Sequence, residues 1–301
     1  MRYFEKNPML VLVIGILGVS CSAILIRYSV APSTVTAAWR LLWTVILMTP
    51  ITLGIGNNRQ QLFATGKREL ILSCLSGLFL AAHFALWFES LQHTSVASSA
   101  TIVCTEVIWV ALGYWLVLKG KLSWKAFVSI VITVVGSVFI ALSDSTTGGL
   151  HLYGDILAFL ASLAAAVYVL LGQVVRQTTS NTIYTYIVYS ACAATLTVLS
   201  LAQGNPLMGF GMNPLIVGLG LAVFSTILGH SILSWCLKYF SPAFISAAKL
   251  CEPVVAAILA GLLFGEIPTS LQLFGGALIL GGVYIYSRIE RTHGGQFCKK
   301  Q

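Results

Sequence analysis

A chain of 301 residues would ordinarily make about two soluble domains, but its composition excludes them. Lys, Arg, Asp and Glu make up 9% of it, apolar residues reach 57% and mean hydropathy is +0.91, whereas a soluble surface needs about a quarter charged residues. The net charge of +8 does not indicate nucleic acid, because the basic residues fall in short gaps between apolar runs rather than on one face.

Taken in chain order, apolar runs occur near 9–28, 35–54, 70–89, 96–118 and 124–143. A second set follows near 152–174, 181–201, 214–237, 243–265 and 270–287. Each approaches the roughly 20 residues that a helix needs to cross the hydrocarbon layer. The runs are continuously apolar rather than alternating, so they predict helices and not a barrel. The expected fold is an all-α integral membrane protein with ten transmembrane helices and short connections. The apolar run after Arg2 and Lys6 is longer than a typical signal-peptide core, and Arg27 stands just before the small-x-small site Ser29-Val30-Ala31, so cleavage is not expected.

Basic residues set the topology. With the N-terminus inside, the inner segments hold Arg2, Lys6, Arg59, Lys67, Arg68, Lys119, Lys121, Lys125, Arg176, Lys238, Arg288, Arg291, Lys299 and Lys300. The outer loops hold none, and Arg27, Arg40 and Lys249 lie within or at the ends of spans. The positive-inside rule then puts both termini in the cytoplasm. The absence of a targeting extension suits a bacterial or archaeal plasma (inner) membrane.

The two sets of five repeat. At a register of about 146 residues, Leu91, Ser95, Ala97, Glu106, Ala111 and Gly136 fall on Leu237, Ser241, Ala243, Glu252, Ala257 and Gly282. One residue of slip places His83 on His230. Five spans is an odd number, so the copies would lie in opposite orientations, as two five-helix inverted repeats (5+5). The predicted units are 1–143, 152–287 and a basic cytoplasmic tail, 288–301. Inverted repeats characterise secondary transporters, whose substrate site lies near the midplane between the halves.

Ionisable residues at mid-span are costly, so each needs a reason. Arg40, Glu106, Lys249 and Glu252 sum to zero charge, which predicts pairing inside the bundle. Lys249 and Glu252 are three apart and would face each other on one helix. Glu106 has no local cation, which makes it the better candidate proton carrier, with protons the candidate coupling ion and Glu106→Gln expected to abolish pH dependence. Arg40 either braces Glu89 or binds a substrate carboxylate through its planar fork. His83 and His230 are expected to be neutral hydrogen-bonders, with proton relay the sharper alternative. Pro253 lacks an N–H and should free the carbonyl of Lys249 and bend its helix. Trp39, Trp43, Trp87, Trp109 and Trp235 are candidates for cavity walls or for the interfacial belts. Small residues at 158–166, Gly261, Gly265, Ala277 and Gly281 predict close helix packing.

The seven cysteines contain no C-x-x-C pair and no metal-ligand spacing, so neither disulfide framework nor metal site is expected. No Walker-type loop and no Ser/His/Asp constellation is present, which predicts neither ATP use nor catalysis and no cofactor. The expected partners are a small-molecule substrate and membrane lipids, with a monomer favoured over an oligomer and no nucleic acid.

Several stretches resemble one family. Ser22-Ala23-Ile24-Leu25-Ile26-Arg27, Ala31-Pro32 and Ala37-Ala38-Trp39-Arg40 are similar to the first hairpin of EamA-like members of the drug/metabolite transporter superfamily. So are Leu91-Gln92-His93-Thr94-Ser95-Val96-Ala97-Ser98-Ser99, Lys249-Leu250-Cys251-Glu252-Pro253, Leu263-Phe264-Gly265-Glu266-Ile267-Pro268 and Gly275-Gly276. The chain departs from the family pattern at Val107, where Pro is common, and at Gly120, where an acid is common. The resemblance implies a ten-helix carrier that exports amino acids, related metabolites or drugs. The alternatives are multidrug-type efflux of amphipathic cations and, in a different class, a membrane-embedded enzyme or lipid-handling protein. The substrate-cavity residues expected are Glu106, Lys249, Glu252, Pro253, Arg40, His83, His230, Trp87, Trp109 and Trp235.

Overall fold

The structure is a computed structural model that describes residues 7–94, 99, 102–144, 152–252, 254–255, 258 and 269–294. Every regular element among the described residues is helical. In chain order these are α1 (Pro8–Arg27), α2 (Ser33–Gly54), α3 (Gly56–Phe63), α4 (Lys67–His93), α5 (Glu106–Leu116) and α6 (Trp124–Asp144). Then come α7 (Leu152–Val175), α8 (Asn181–Ala202), α9 (Asn213–Cys236), α10 (Pro242–Lys249) and α11 (Ser270–Gly294). Six of these helices are long and apolar enough to cross a membrane: α2, α4, α7, α8, α9 and the Ser270–Ile289 part of α11. The expected Gly261–Gly265 packing motif and Pro253 lie outside the described residues.

The interior mixes small and hydroxylated residues with large ones such as Leu41, Leu80, Phe84 and Leu196, while many other large aliphatic residues turn outward. Ser20, Thr44, Thr52, Ser73, Ser76 and Thr133 are buried, whereas Leu17, Ile46, Ile71 and Val131 are exposed. In lipid this inversion is favourable, because small side chains allow close approach and lipid tails solvate Leu and Ile. The buried hydroxyls cost little. Ser20, Thr44 and Ser73 each donate to the carbonyl four residues earlier, at 2.7–2.8 Å.

The chief helix pairs are α4 with α7 and α8, α6 with α11, α2 with α8, α1 and α2 with α9, and α5 with α7 and α10. The run Ala158, Ala161, Ser162, Ala164, Ala165, Ala166 is buried on α7. Gly136 faces Gly275 and Ile279 across the α6–α11 seam, and Gly282 faces Ser129 and Thr133 from the other side. Both glycines of the repeat register therefore serve one interface.

Two features depart from regular spans. The connection between α2 and α4 contains α3, a short helix with no buried residue. Within α9, Leu221–His230 widens into a π-helix, where the Thr226 hydroxyl donates to the Leu221 carbonyl at 3.2 Å and Ser231 to the Thr226 carbonyl at 3.2 Å. Such widened turns cluster at functional positions.

The departure at Gly120 has a steric reason. Gly120 N–H closes onto the Tyr114 carbonyl at 2.8 Å, and a Cβ at Gly120 would overlap the Tyr114 ring. Gly120→Glu is therefore expected to destabilise the protein by about 1–3 kcal/mol. Combining it with Tyr114→Ala should not add the two costs, since the second change removes the obstacle to the first. Additive losses in thermal unfolding would contradict this account.

Candidate functional site

Two of the expected spans are broken, and both breaks fall beside a carboxylate, Glu106 buried and Glu252 half-buried. The span expected over 96–118 is helical at 102–104, turns at Thr105 and restarts at Glu106. Thr105 N–H bonds the Ile102 carbonyl at 3.1 Å and Ile108 N–H that of Thr105 at 2.9 Å, the short i→i−3 closure of a tightened turn. The span expected over 243–265 runs helically to Lys249, turns at Leu250 and Cys251, and is helical again at Glu252. Leu250 and Cys251 N–H groups bond the Ala247 and Ala248 carbonyls, each at 3.1 Å. In the 146-residue register Thr105 corresponds to Cys251, so the breaks are equivalent positions of the two halves. The first break occurs without a proline, since Val107 stands where the family pattern often has one.

The ion pairing differs from the sequence expectation. Lys249 donates to Glu106 Oε1 at 2.6 Å, with side-chain exposures of 18% and 5%. Glu106 therefore has a cation, which removes the reason for favouring it as proton carrier. The i,i+3 rule that would have paired Lys249 with Glu252 requires a continuous helix, and the turn at Leu250–Cys251 interrupts it.

Arg40 does not brace Glu89. Glu89 pairs instead with His93, one turn along α4, at 3.0 Å in an exposed position. Arg40 is fully buried, donates Nε–H to the Thr226 hydroxyl at 2.8 Å, and holds its guanidinium carbon 4.3 Å from the centre of the Phe84 ring. That is cation–π geometry in a desolvated place. Its Nη1 and Nη2 have no hydrogen-bond partner among the described residues.

One turn of α4 supplies much of the surrounding wall. His83 Nδ1 donates to the Ala161 carbonyl of α7 at 3.0 Å, so this histidine is a satisfied hydrogen-bonder. Its ring stacks on Trp87 at 5.9 Å and lies 5.3 Å from Phe84. His230, from the π-helical section, meets Phe84 edge-on at 5.6 Å and Tyr168 at 6.3 Å. The two histidines thus converge on one phenylalanine. Trp109, one turn beyond Glu106, packs edge-on against Phe159 at 5.6 Å. The indole nitrogens of Trp87 and Trp109 are buried without a partner among the described residues.

The structure gathers Arg40, His83, Trp87, Glu106, His230, Lys249 and Glu252 where α2, α4, α5, α9 and α10 meet, whereas Trp109 packs toward Phe159 of α7. It places Trp235 elsewhere. That side chain stacks on Tyr239 at 4.3 Å and lines a cleft of about 650 Å³ at one end of the bundle, with Glu69, Arg176, Asn181 and Lys238. Burial lowers the Arg176 guanidinium to about 10, and its Nε donates to the Ser234 carbonyl at 3.2 Å. Sequence reasoning missed Thr226, Phe84 and Tyr168. Phe84 adjoins His83 in sequence, but nothing in the local pattern marks Thr226 as the partner of a residue 186 positions away. Among the described residues no group of three or more His, Cys, Asp or Glu could hold a metal ion.

The opposite end of the bundle is tied by hydrogen bonds between distant segments. Asn213 accepts from Val30 N–H at 3.0 Å and donates to the Tyr28 carbonyl at 2.8 Å. Thr34 donates to Gln203 at 3.0 Å, and the Trp39 and Trp43 indoles donate to the Leu207 and Leu215 carbonyls at 2.9 and 3.0 Å. Trp39 and Trp43 are thus clamps rather than walls of the central cluster.

The family described as "EamA-like transporter family" matches the chain twice, over residues 7–142 and 152–288. A Clostridium kluyveri protein called an uncharacterized transporter is 22% identical over 78% of this chain and 77% of its own length. A Salmonella typhimurium protein named "Probable amino-acid metabolite efflux pump" is 26% identical over 77% of this chain and 83% of its own. A solved crystal structure superposes with a TM-score of 0.77 at 15% identity, covering 95% of this chain and 98% of that one, a likeness of fold.

Proposed function

The chain belongs to the EamA-like transporter family, and from that premise we propose a secondary-active or facilitative exporter of small metabolites, amino acids among them. It works by alternating access around the central cluster, in a plasma membrane, as ten helices in two inverted halves with both termini cytoplasmic. Two family matches in tandem support the repeat. So does the packing: exchanging the first five spans for the second turns the α4–α7 contact into α9–α1, and α4–α8 into α9–α2, and all four occur. The amino-acid class is supported by the name of the Salmonella typhimurium relative.

The observation that carries the mechanism is the Lys249–Glu106 pair. It joins the broken helix of one half to the broken helix of the other at a buried point. Discontinuous helices at a repeat interface put backbone polar groups and charges where a substrate can use them. Rocking of the halves would break this pair and leave Lys249 free to turn toward Glu252 on its own chain segment. The cleft by Arg176 and Lys238 lies on the end that the basic loops assign to the cytoplasm, and the ties at Asn213, Thr34, Trp39 and Trp43 lie on the other. That asymmetry fits a carrier parted at the cytoplasmic end and latched outside.

Purified protein in proteoliposomes is expected to show counterflow: internal unlabelled amino acid should accelerate entry of labelled amino acid. Uptake that is never accelerated by internal substrate would count against a carrier. The latch has its own test. Asn213→Ala removes two hydrogen bonds and Trp39→Phe one, each worth about 1 kcal/mol. In a variant keeping Cys104 as its only cysteine, Trp39→Phe is expected to raise Cys104 labelling by an impermeant maleimide from the outer side about fivefold, and Asn213→Ala about thirtyfold. Unchanged labelling would remove the latch assignment.

A further inference from the structure

Four ionisable side chains converge on the centre of the bundle, two of each sign. Lys249 and Glu106 satisfy each other. Arg40 and Glu252 are left over, and they pair neither with one another nor with any other ionised group among the described residues. Arg40 is wholly buried, and although Nε is committed to Thr226, both terminal nitrogens have no acceptor among the described residues. Glu252 accepts no hydrogen bond from a described residue, although it lies within electrostatic reach of Arg40, Lys249 and Glu106. Opposite charges in one low-dielectric interior gain by closing into a pair, as Lys249 and Glu106 do. These two are held apart.

We propose that this separation is the imprint of a zwitterion, and that the site takes the head group of an α-amino acid, with its carboxylate on the Arg40 terminal nitrogens and its ammonium on Glu252. This deepens the proposed function and rests on its reading of the cluster as the substrate site. A planar guanidinium with two free N–H-bearing nitrogens matches a carboxylate in bidentate fashion. A zwitterion brings one charge of each sign and no net charge, so it completes both residues at once. An amine alone leaves Arg40 buried and unpaired, and an acid alone leaves Glu252 so. Rejection of an analogue lacking one group then follows from the unpaired charge it strands.

The test uses two trios on the purified full-length protein: phenylalanine, phenethylamine and 3-phenyllactate, and leucine, isoamylamine and 2-hydroxyisocaproate. Thermal-shift titration is expected to give at least one amino acid an affinity about tenfold or more above both its analogues. Arg40→Gln should erase the preference for amino acid over amine while keeping that over hydroxy acid. Glu252→Gln should do the reverse, whereas a merely structural role would weaken all three ligands alike. If either variant fails to fold, the comparison of ligands on the unaltered protein still decides. Amino acids that bind no better than their analogues, or no binding by any of the six, overturn the proposal. Counterflow separates it from the transport reading: zwitterion-selective binding without counterflow removes transport and leaves the head-group assignment, and counterflow confined to solutes lacking the amine or the carboxylate does the opposite.

Discussion

Lys249→Met is expected to cost about 3–5 kcal/mol of unfolding stability, because it leaves the Glu106 carboxylate buried without its cation. The geometry is what makes the effect large. The pair is closed at 2.6 Å, Glu106 is 5% exposed, and the partner comes from another helix rather than from the same turn. An exposed pair such as His93–Glu89 should contribute only about 0–1 kcal/mol. The double variant Glu106→Gln/Lys249→Met removes both charges, so it should recover most of the stability lost by the single change. It should not recover transport, because the contact that joins the two broken helices is then gone. Equilibrium unfolding in mixed micelles, read beside counterflow in proteoliposomes, checks both halves of this expectation. A single variant as stable as the unaltered protein would show that the pair is not held in a low-dielectric interior.

Gly18→Leu is expected to destabilise by about 3 kcal/mol, the upper range for overpacking. A Cβ at Gly18 would stand 2.8 Å from the Gly229 nitrogen and from the Leu228 carbonyl carbon and oxygen. Those are backbone atoms of the π-helical section of α9, so no side chain can swing away to make room. The clash would push α1 off the segment that also carries Thr226, the hydrogen-bond partner of Arg40. Gly54→Leu is the control: nothing lies within 4 Å of a Cβ there, and the change should leave the melting temperature within a degree or two. Equal losses at both positions would mean that helix propensity, not the α1–α9 contact, sets the cost.

Some of this protein is legible one segment at a time. Hydropathy over about 20 residues placed α1, α2, α4, α6, α7, α8 and α9 within a few residues of their observed limits. It works because each lipid-facing helix must satisfy its own backbone and expose its own apolar surface, which are local requirements. The glycines at 136 and 282 and the glutamates at 106 and 252 were likewise visible, as rare residues repeating at one interval. The run Leu250–Cys251 gave no such warning. Its residues are acceptable in a helix, and only the surroundings decide that the ladder stops there. Once it stops, the spacing rule joining Lys249 to Glu252 no longer applies.

The sequence by itself determined a helical, membrane-embedded chain, its family and which charged residues would be drawn inside, because composition and periodicity act over one or two turns. Only the tertiary structure decided which charges meet: Lys249 with Glu106 across 143 positions, and Arg40 with Thr226 across 186 while its terminal nitrogens find no acceptor among the described residues. The reason is that a buried charge takes the partner that reaches it in three dimensions, and the energy of leaving it unpaired is indifferent to distance along the chain.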